Sequence, residues 1–367
     1  MTKRQFFRLT AFLLLVALLL YVLCMLFKFQ DSQQSKRMRT YKDQQPGAID
    51  AVYIGASGVD RFWITSKAYE DYGMTVYPIS TDGMATWVTL PTVKEALRTQ
   101  TPKLIIVDIR CFGRNEVSKN AQMIRSRTLI DELPFFSPNR FWAIDRTLDH
   151  LHEAFPDEVD RFDISLFFTF IRYHNKWSKD EFTFEELKDP PSEFLGTYVA
   201  LNSALIHPWK QPEATDECLP LEDYNEYYLR ELLQFGVDNH LNMLFVNSPH
   251  WCMTEESGRY NTIASIIEEY GYPHVFYQSA EMMAKYGFDS QTDYYEGAHV
   301  NFDGAVKYTD VFAAYLAEHY DLPDHRDDPK CASWNGVYQH VLDRVQEYKD
   351  EVAAMDEMPE VQVGKTD

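Results

Sequence analysis

The 367-residue chain has few of the signatures that mark cofactor sites. Gly55 and Gly58 are not followed by a third glycine at the interval of a dinucleotide-binding turn, and no phosphate-binding glycine loop occurs. Five cysteines, Cys24, Cys111, Cys218, Cys252 and Cys331, are scattered with no Cys-x-x-Cys spacing. This argues against a zinc ribbon or a thioredoxin-type site. An exported domain could still form one or two disulfides from them, in a pairing the sequence does not specify. Positive charge is scarce: 35 Lys and Arg against 56 Asp and Glu leave a net charge of −21. With no basic groove, nucleic acid is not expected as a partner. His150, His152 and His174 read as solvated side chains rather than metal ligands, so neither a metal nor another cofactor is expected. There is no internal repeat.

What the chain does have is apolar and aromatic material, 45% hydrophobic and 15% aromatic, enough for a large buried core. The first such stretch is an uncharged run from Leu9 to Phe27, bounded by Arg8 and Lys28. As a helix it would span roughly 28 Å, about the thickness of a bilayer's hydrocarbon core. It is long for a signal-peptide core and no small-x-small cleavage site closes it, so a retained membrane anchor is expected. Residues 1–28 are then a short tail and anchor. The polar stretch to Gly47 reads as a linker, 29–48.

A globular domain follows, 49–325. Asp50 to Ile54, Thr75 to Ser80 and Leu104 to Ile109 read as strands separated by helical patterns, the last of them β-branched as in a buried parallel strand. Alternation lapses from about 111 to 240, a large helical insertion, and resumes with strands at Met243 to Asn247 and His274 to Tyr277. A helix from Ala305 to His319 closes the core. Residues 326–367 read as an acidic extension ending in a loose tail. The expected class is α/β with a parallel sheet.

The chemistry turns on two stretches. Tyr53-Ile54-Gly55-Ala56-Ser57-Gly58 runs a strand into a tight turn, placing Ser57 at the carboxyl edge of the sheet where open α/β folds bind ligands. By itself Gly-x-Ser-Gly is more often a plain turn. Near the other end, Tyr294-Tyr295-Glu296-Gly297-Ala298-His299 puts a carboxylate three residues before a histidine. On a turn of helix or a compact loop both can face one way, with the carboxylate holding the imidazole that deprotonates a serine. Alone, such a pair is commonly a surface ion pair.

Together these stretches, with Leu104 to Arg110, Tyr173-His174-Asn175-Lys176-Trp177 and Tyr294 to Lys307, resemble the SGNH/GDSL hydrolases. The similarity covers most of the chain from Asp50 to about Leu322. It is greatest to an exported, membrane-anchored branch: the D-alanyl transfer protein of lipoteichoic acid and polysaccharide O-acetyltransferases. The resemblance implies a three-layer α/β/α, flavodoxin-like sheet. Ser57 would be nucleophile and His299 general base, with Glu296 where the family has Asp, and Asp293 as the alternative carboxylate. It further implies an oxyanion hole from the amide of Ser57 and one near Gly83. The family's asparagine after the third strand is missing; Arg110 is a candidate substitute or the partner of a structural ion pair with Asp108 or another acid. His174 and Trp177 are candidates to line the acyl or sugar site or else to fill core, and His250 is a candidate substrate contact. The implied activity is that of an extracytoplasmic serine esterase or O-acyltransferase acting on a cell-envelope polysaccharide or teichoic-acid-like acceptor. The tail would lie inside, and a multi-pass acyl-exporting membrane protein would be a partner. The alternative is a non-catalytic envelope assembly or polymer-binding protein on the same fold.

Overall fold

The computed structural model describes residues 1–27, 33–115, 118–175, 191–199 and 209–356. Five strands, β1 (Ala51–Gly55), β2 (Val76–Ser80), β3 (Leu104–Asp108), β4 (Met243–Asn247) and β5 (His274–Phe276), form one sheet. All pairs are parallel and the order is β2-β1-β3-β4-β5. Every residue of β1 to β4 is buried, which explains their unbroken apolar runs: a parallel sheet is covered on both faces. Val52, Ile54, Val107 and Phe245 point into one core, and Ala51, Tyr53, Ile106 and Leu244 into another.

Helices Thr86–Thr99, Lys119–Glu132, Pro138–Ala154 and Asp223–Asp238 cover the first face. The region expected as an insertion thus supplies much of one layer. Helices Thr65–Tyr72, Phe302–His319 and Val337–Asp356 cover the second. Because β2 and β3 lie on opposite sides of β1, the connections leaving β1 and β3 part to opposite faces. They open a crevice at the carboxyl edge of the sheet. Ser57 follows β1 and Arg110 follows β3, so both stand at this crevice.

One expectation needs correction, and another gains detail. The stretch read as a linker carries a helix, Gln33–Asp43, whose Met38 and Tyr41 are buried in the first core. The Tyr41 hydroxyl donates to Ala96 O at 2.8 Å. The acidic extension, helical in propensity by sequence, is helical in the structure and is also packed onto the domain. A 3₁₀ turn, Pro329–Trp334, seats Trp334 against Tyr69 and Tyr77, and the helix Val337–Asp356 buries Val341 and Val345. In both places a few buried side chains outweigh the polar composition. Residues 357–367 lie outside the described residues. All five cysteines are free thiols.

The N-terminal helix, Lys3–Leu26, opens with a capping box between Thr2 and Gln5 and is long and apolar enough to cross a membrane. Its last turns touch the domain. The Thr169 hydroxyl donates to Cys24 O at 3.0 Å.

Candidate active site

The short helix Ser57–Asp60 begins at Ser57 itself, so the serine sits on a first helical turn whose leading amides have no intrahelical acceptor. Gly55 and Gly58 are required by close packing. A Cβ on Gly55 would lie 2.6 Å from Asp108 Cβ, and one on Gly58 2.7 Å from Asp108 Oδ2 and 2.8 Å from Arg110 Nη1. The two glycines therefore let the serine turn settle directly onto the end of β3.

His299 reaches Ser57 from 242 residues away: its Nε2 lies 2.7 Å from Ser57 Oγ. Its Nδ1 bonds the carboxylate of Glu296. The two residues face each other across a two-stranded hairpin, β6 (Tyr294–Glu296) and β7 (His299–Val300), not on a helical turn. With Nδ1–H donating to Glu296, Nε2 is free to accept the serine proton, so the tautomer is set for a general base. Burial and then the guanidinium groups of Arg110, Arg61 and Arg114 push the His299 pKa below its ordinary value, which keeps the ring neutral near pH 7. The Tyr295 ring stacks on His299 with centroids 5.8 Å apart. Its hydroxyl accepts a 2.6 Å hydrogen bond from Arg61, which also reaches Asp82 at 3.4 Å.

Asp293 does not take part in this relay. Its carboxylate pairs with Lys307 at 2.5 Å and accepts from the Asp289 amide and the Thr292 hydroxyl, tying the hairpin to the helix behind it. Gly83 has a φ of 66°, and the Arg125 side chain fills the space a Cβ would need. Its neighbour Asp82 meets the rim of the site through Arg61.

Arg110 is buried under the serine turn. Its guanidinium donates to Ala298 O at 3.1 Å and Ser248 Oγ at 3.5 Å, and its Nε has no partner. The Asp108 carboxylate takes the Arg110 backbone amide at 3.0 Å, leaving Oδ2 buried and unpaired. Burial raises Asp108 to about 6, opposed by Arg110. The side-chain ion pair expected as one option is thus replaced by a backbone contact.

Beside the hairpin lies a cavity of about 820 Å³ lined by four arginines, Arg110, Arg114, Arg125 and Arg259, together with Glu255, Glu256, His250 and Ala298. His250 is buried, donates from Nδ1 to Ser248 O at 2.8 Å and is kept neutral by burial and by Arg110. It therefore lines the cavity next to the relay without touching Ser57. His250, Cys252 and Glu256 lie close enough to share a metal ion. The surrounding guanidinium groups make it a poor place for a cation.

His174 is exposed at the end of the helix Thr169–Tyr173, bonded to Ile171 O at 2.7 Å. That helix packs on the N-terminal helix rather than on the relay. Trp177 lies outside the described residues.

Sequence reasoning missed Arg61, Arg114 and Arg259, because single arginines dispersed over 198 positions carry no local pattern. It also missed Arg37. From the supposed linker, Arg37 forms a buried 2.5 Å ion pair with Asp60, the last residue of the serine helix, and donates to Gly196 O at 2.6 Å. Asp60 also accepts from the Ser80 hydroxyl at 2.8 Å, so the pair clamps the serine turn to the end of β2. The spacing of Met38 and Tyr41, three apart on a polar helix, was the one available hint of burial here.

No family model and no curated protein matches the chain. Among solved structures, a gut microbial diltiazem-metabolizing enzyme is similar at 11% identity with a TM-score of 0.31. The match covers 74% of this chain and 48% of the other, so the chain spans about half that protein's length. Similarity this slight leaves the chemistry to be read from the site itself.

Proposed function

We propose that the chain is a membrane-anchored serine esterase or O-acyltransferase of the SGNH type, acting on an anionic cell-envelope glycopolymer outside the cytoplasmic membrane. The observation that carries the reading is the relay Ser57 Oγ, His299 Nε2, His299 Nδ1, Glu296 carboxylate. In the first step Ser57 Oγ bonds to the acyl carbon of an ester or thioester while its proton passes to His299 Nε2. The carbon–heteroatom bond then breaks and the leaving group takes that proton. Water or an acceptor hydroxyl repeats the sequence in reverse and frees the serine. Negative charge on the acyl oxygen would be met by the Ser57 amide and by Arg110 beneath the turn.

The cavity supports an anionic acceptor, a teichoic-acid-like or uronic polymer, because its four arginines outnumber its two glutamates in a protein whose net charge is −21. The apolar N-terminal helix supports anchoring, with the tail inside. The acyl donor would come from a multi-pass acyl-exporting membrane protein. Labelling of the full-length protein by a fluorophosphonate probe tests the chemistry: the wild type labels, and Ser57→Ala and His299→Ala do not. A folded wild type that takes no label would sink the enzyme reading and leave the cavity as a polymer-binding site.

A further inference from the structure

We infer that the globular domain itself enters the membrane interface, through an aromatic face around Phe136 and Phe162 beside the N-terminal helix. Among the described residues outside that helix, the two most exposed large apolar side chains, Phe136 at 69% and Phe162 at 65%, stand on this side of the domain, with Ile164 at 47%. Isolated exposed apolar residues are ordinary, but aromatic rings this exposed beside a membrane-length helix call for a partner.

Its Phe136 end is joined to the N-terminal helix, and Phe162 connects to it through the buried Arg140. Tyr21 stacks on Phe136 at 5.4 Å and meets Phe135 edge-on at 5.5 Å. Phe135 continues to Phe168 at 6.4 Å, and the Arg140 guanidinium lies 5.3 Å above the Phe135 ring. Arg140 donates to Phe167 O at 3.2 Å, and Phe162 stacks on Phe167 at 5.6 Å. The occupant follows from depth along that helix. Tyr21 lies six residues before Phe27, the end of the apolar run, or roughly 9 Å along the axis at 1.5 Å per residue. If that run fills the hydrocarbon core, side chains level with Tyr21 lie roughly 9 Å inside its boundary, among the acyl chains. The face is thus continuous with a surface already in lipid.

Charge does not drive this contact. Asp157, Glu158 and Asp160 are exposed near Phe162, and Arg161 is paired with Asp149. The partner is therefore the apolar edge of the bilayer, held by burial of the rings.

The test places p-benzoylphenylalanine singly at Phe136, Phe162 and, as a control of similar exposure, Tyr227. The full-length protein is reconstituted in phosphatidylethanolamine–phosphatidylglycerol vesicles and irradiated. Lipid adducts at 136 and 162 should exceed those at 227 at least fivefold, and stay within twofold when the vesicles are phosphatidylcholine. Lipid adducts no greater than the control would overturn the inference. So would mainly protein–protein adducts, which would assign the face to a second copy, or adducts that need anionic lipid. Unchanged melting curves show that the substitutions leave the fold intact, and the result is independent of whether Ser57 is a nucleophile.

Discussion

Glu296 and Asp293 lie three residues apart and serve different purposes. Glu296 holds the His299 tautomer, whereas Asp293 is an internal tie to Lys307. Glu296→Gln should therefore slow fluorophosphonate labelling by about 10²- to 10⁴-fold with little change in melting temperature, as expected of a lost orienting carboxylate. Asp293→Asn should do the reverse, lowering the melting temperature while labelling stays near normal. At Arg37, truncation leaves Asp60 charged and buried. Arg37→Ala should cost about 3–5 kcal/mol in denaturant unfolding, and adding Asp60→Asn should recover part of it. The sequence pointed to Ser57, His299 and Glu296 because each sits in a short motif with a meaning of its own. Arg37 was invisible because its value comes from a residue 23 positions away in another element.

At the scale of elements, what was legible and what was not follow from burial. Strands β1, β3 and β4 are covered on both faces, and their apolar runs record it. The helix Gln33–Asp43 has a polar surface, and its packing rests on Arg37, Met38 and Tyr41. No composition-based reading separates such a helix from a linker. A three-residue interval fits a helical turn or a compact loop, and the structure takes the loop, a tight hairpin turn that sets Glu296 opposite His299. The serine turn has the least freedom. Gly58→Ala places a methyl group against Asp108 Oδ2 and Arg110 Nη1, and should abolish most labelling while the protein remains folded. Normal labelling in that variant would show that the turn can shift without cost.

At the scale of the whole molecule, buried histidines tie stability to pH. His150, expected to be solvated, is buried and stacked on Trp87; burial lowers it from 6.5 to about 4, and burial also lowers His250. In the unfolded chain these rings take up protons near pH 6.5, while in the fold they stay neutral. The unfolded state thus binds more protons as the pH falls below about 6.5, and stability declines from there. His150 alone accounts for up to about 3 kcal/mol of this by pH 4, and His150→Gln should flatten the acid limb of a urea-midpoint against pH curve.

The contacts of Thr169 with Cys24, and of Phe135 and Phe136 with Tyr21, bear on reach. They make the first helix a fixed mount instead of a tether. A tethered site sweeps a volume and finds its ligand, whereas a mounted one, where the helix crosses a membrane, would hold a constant height above it. Whatever enters the arginine-lined cavity must then supply the search by its own length and slack. Added Gly-Ser residues between 27 and 33 would lengthen the chain without lengthening its reach.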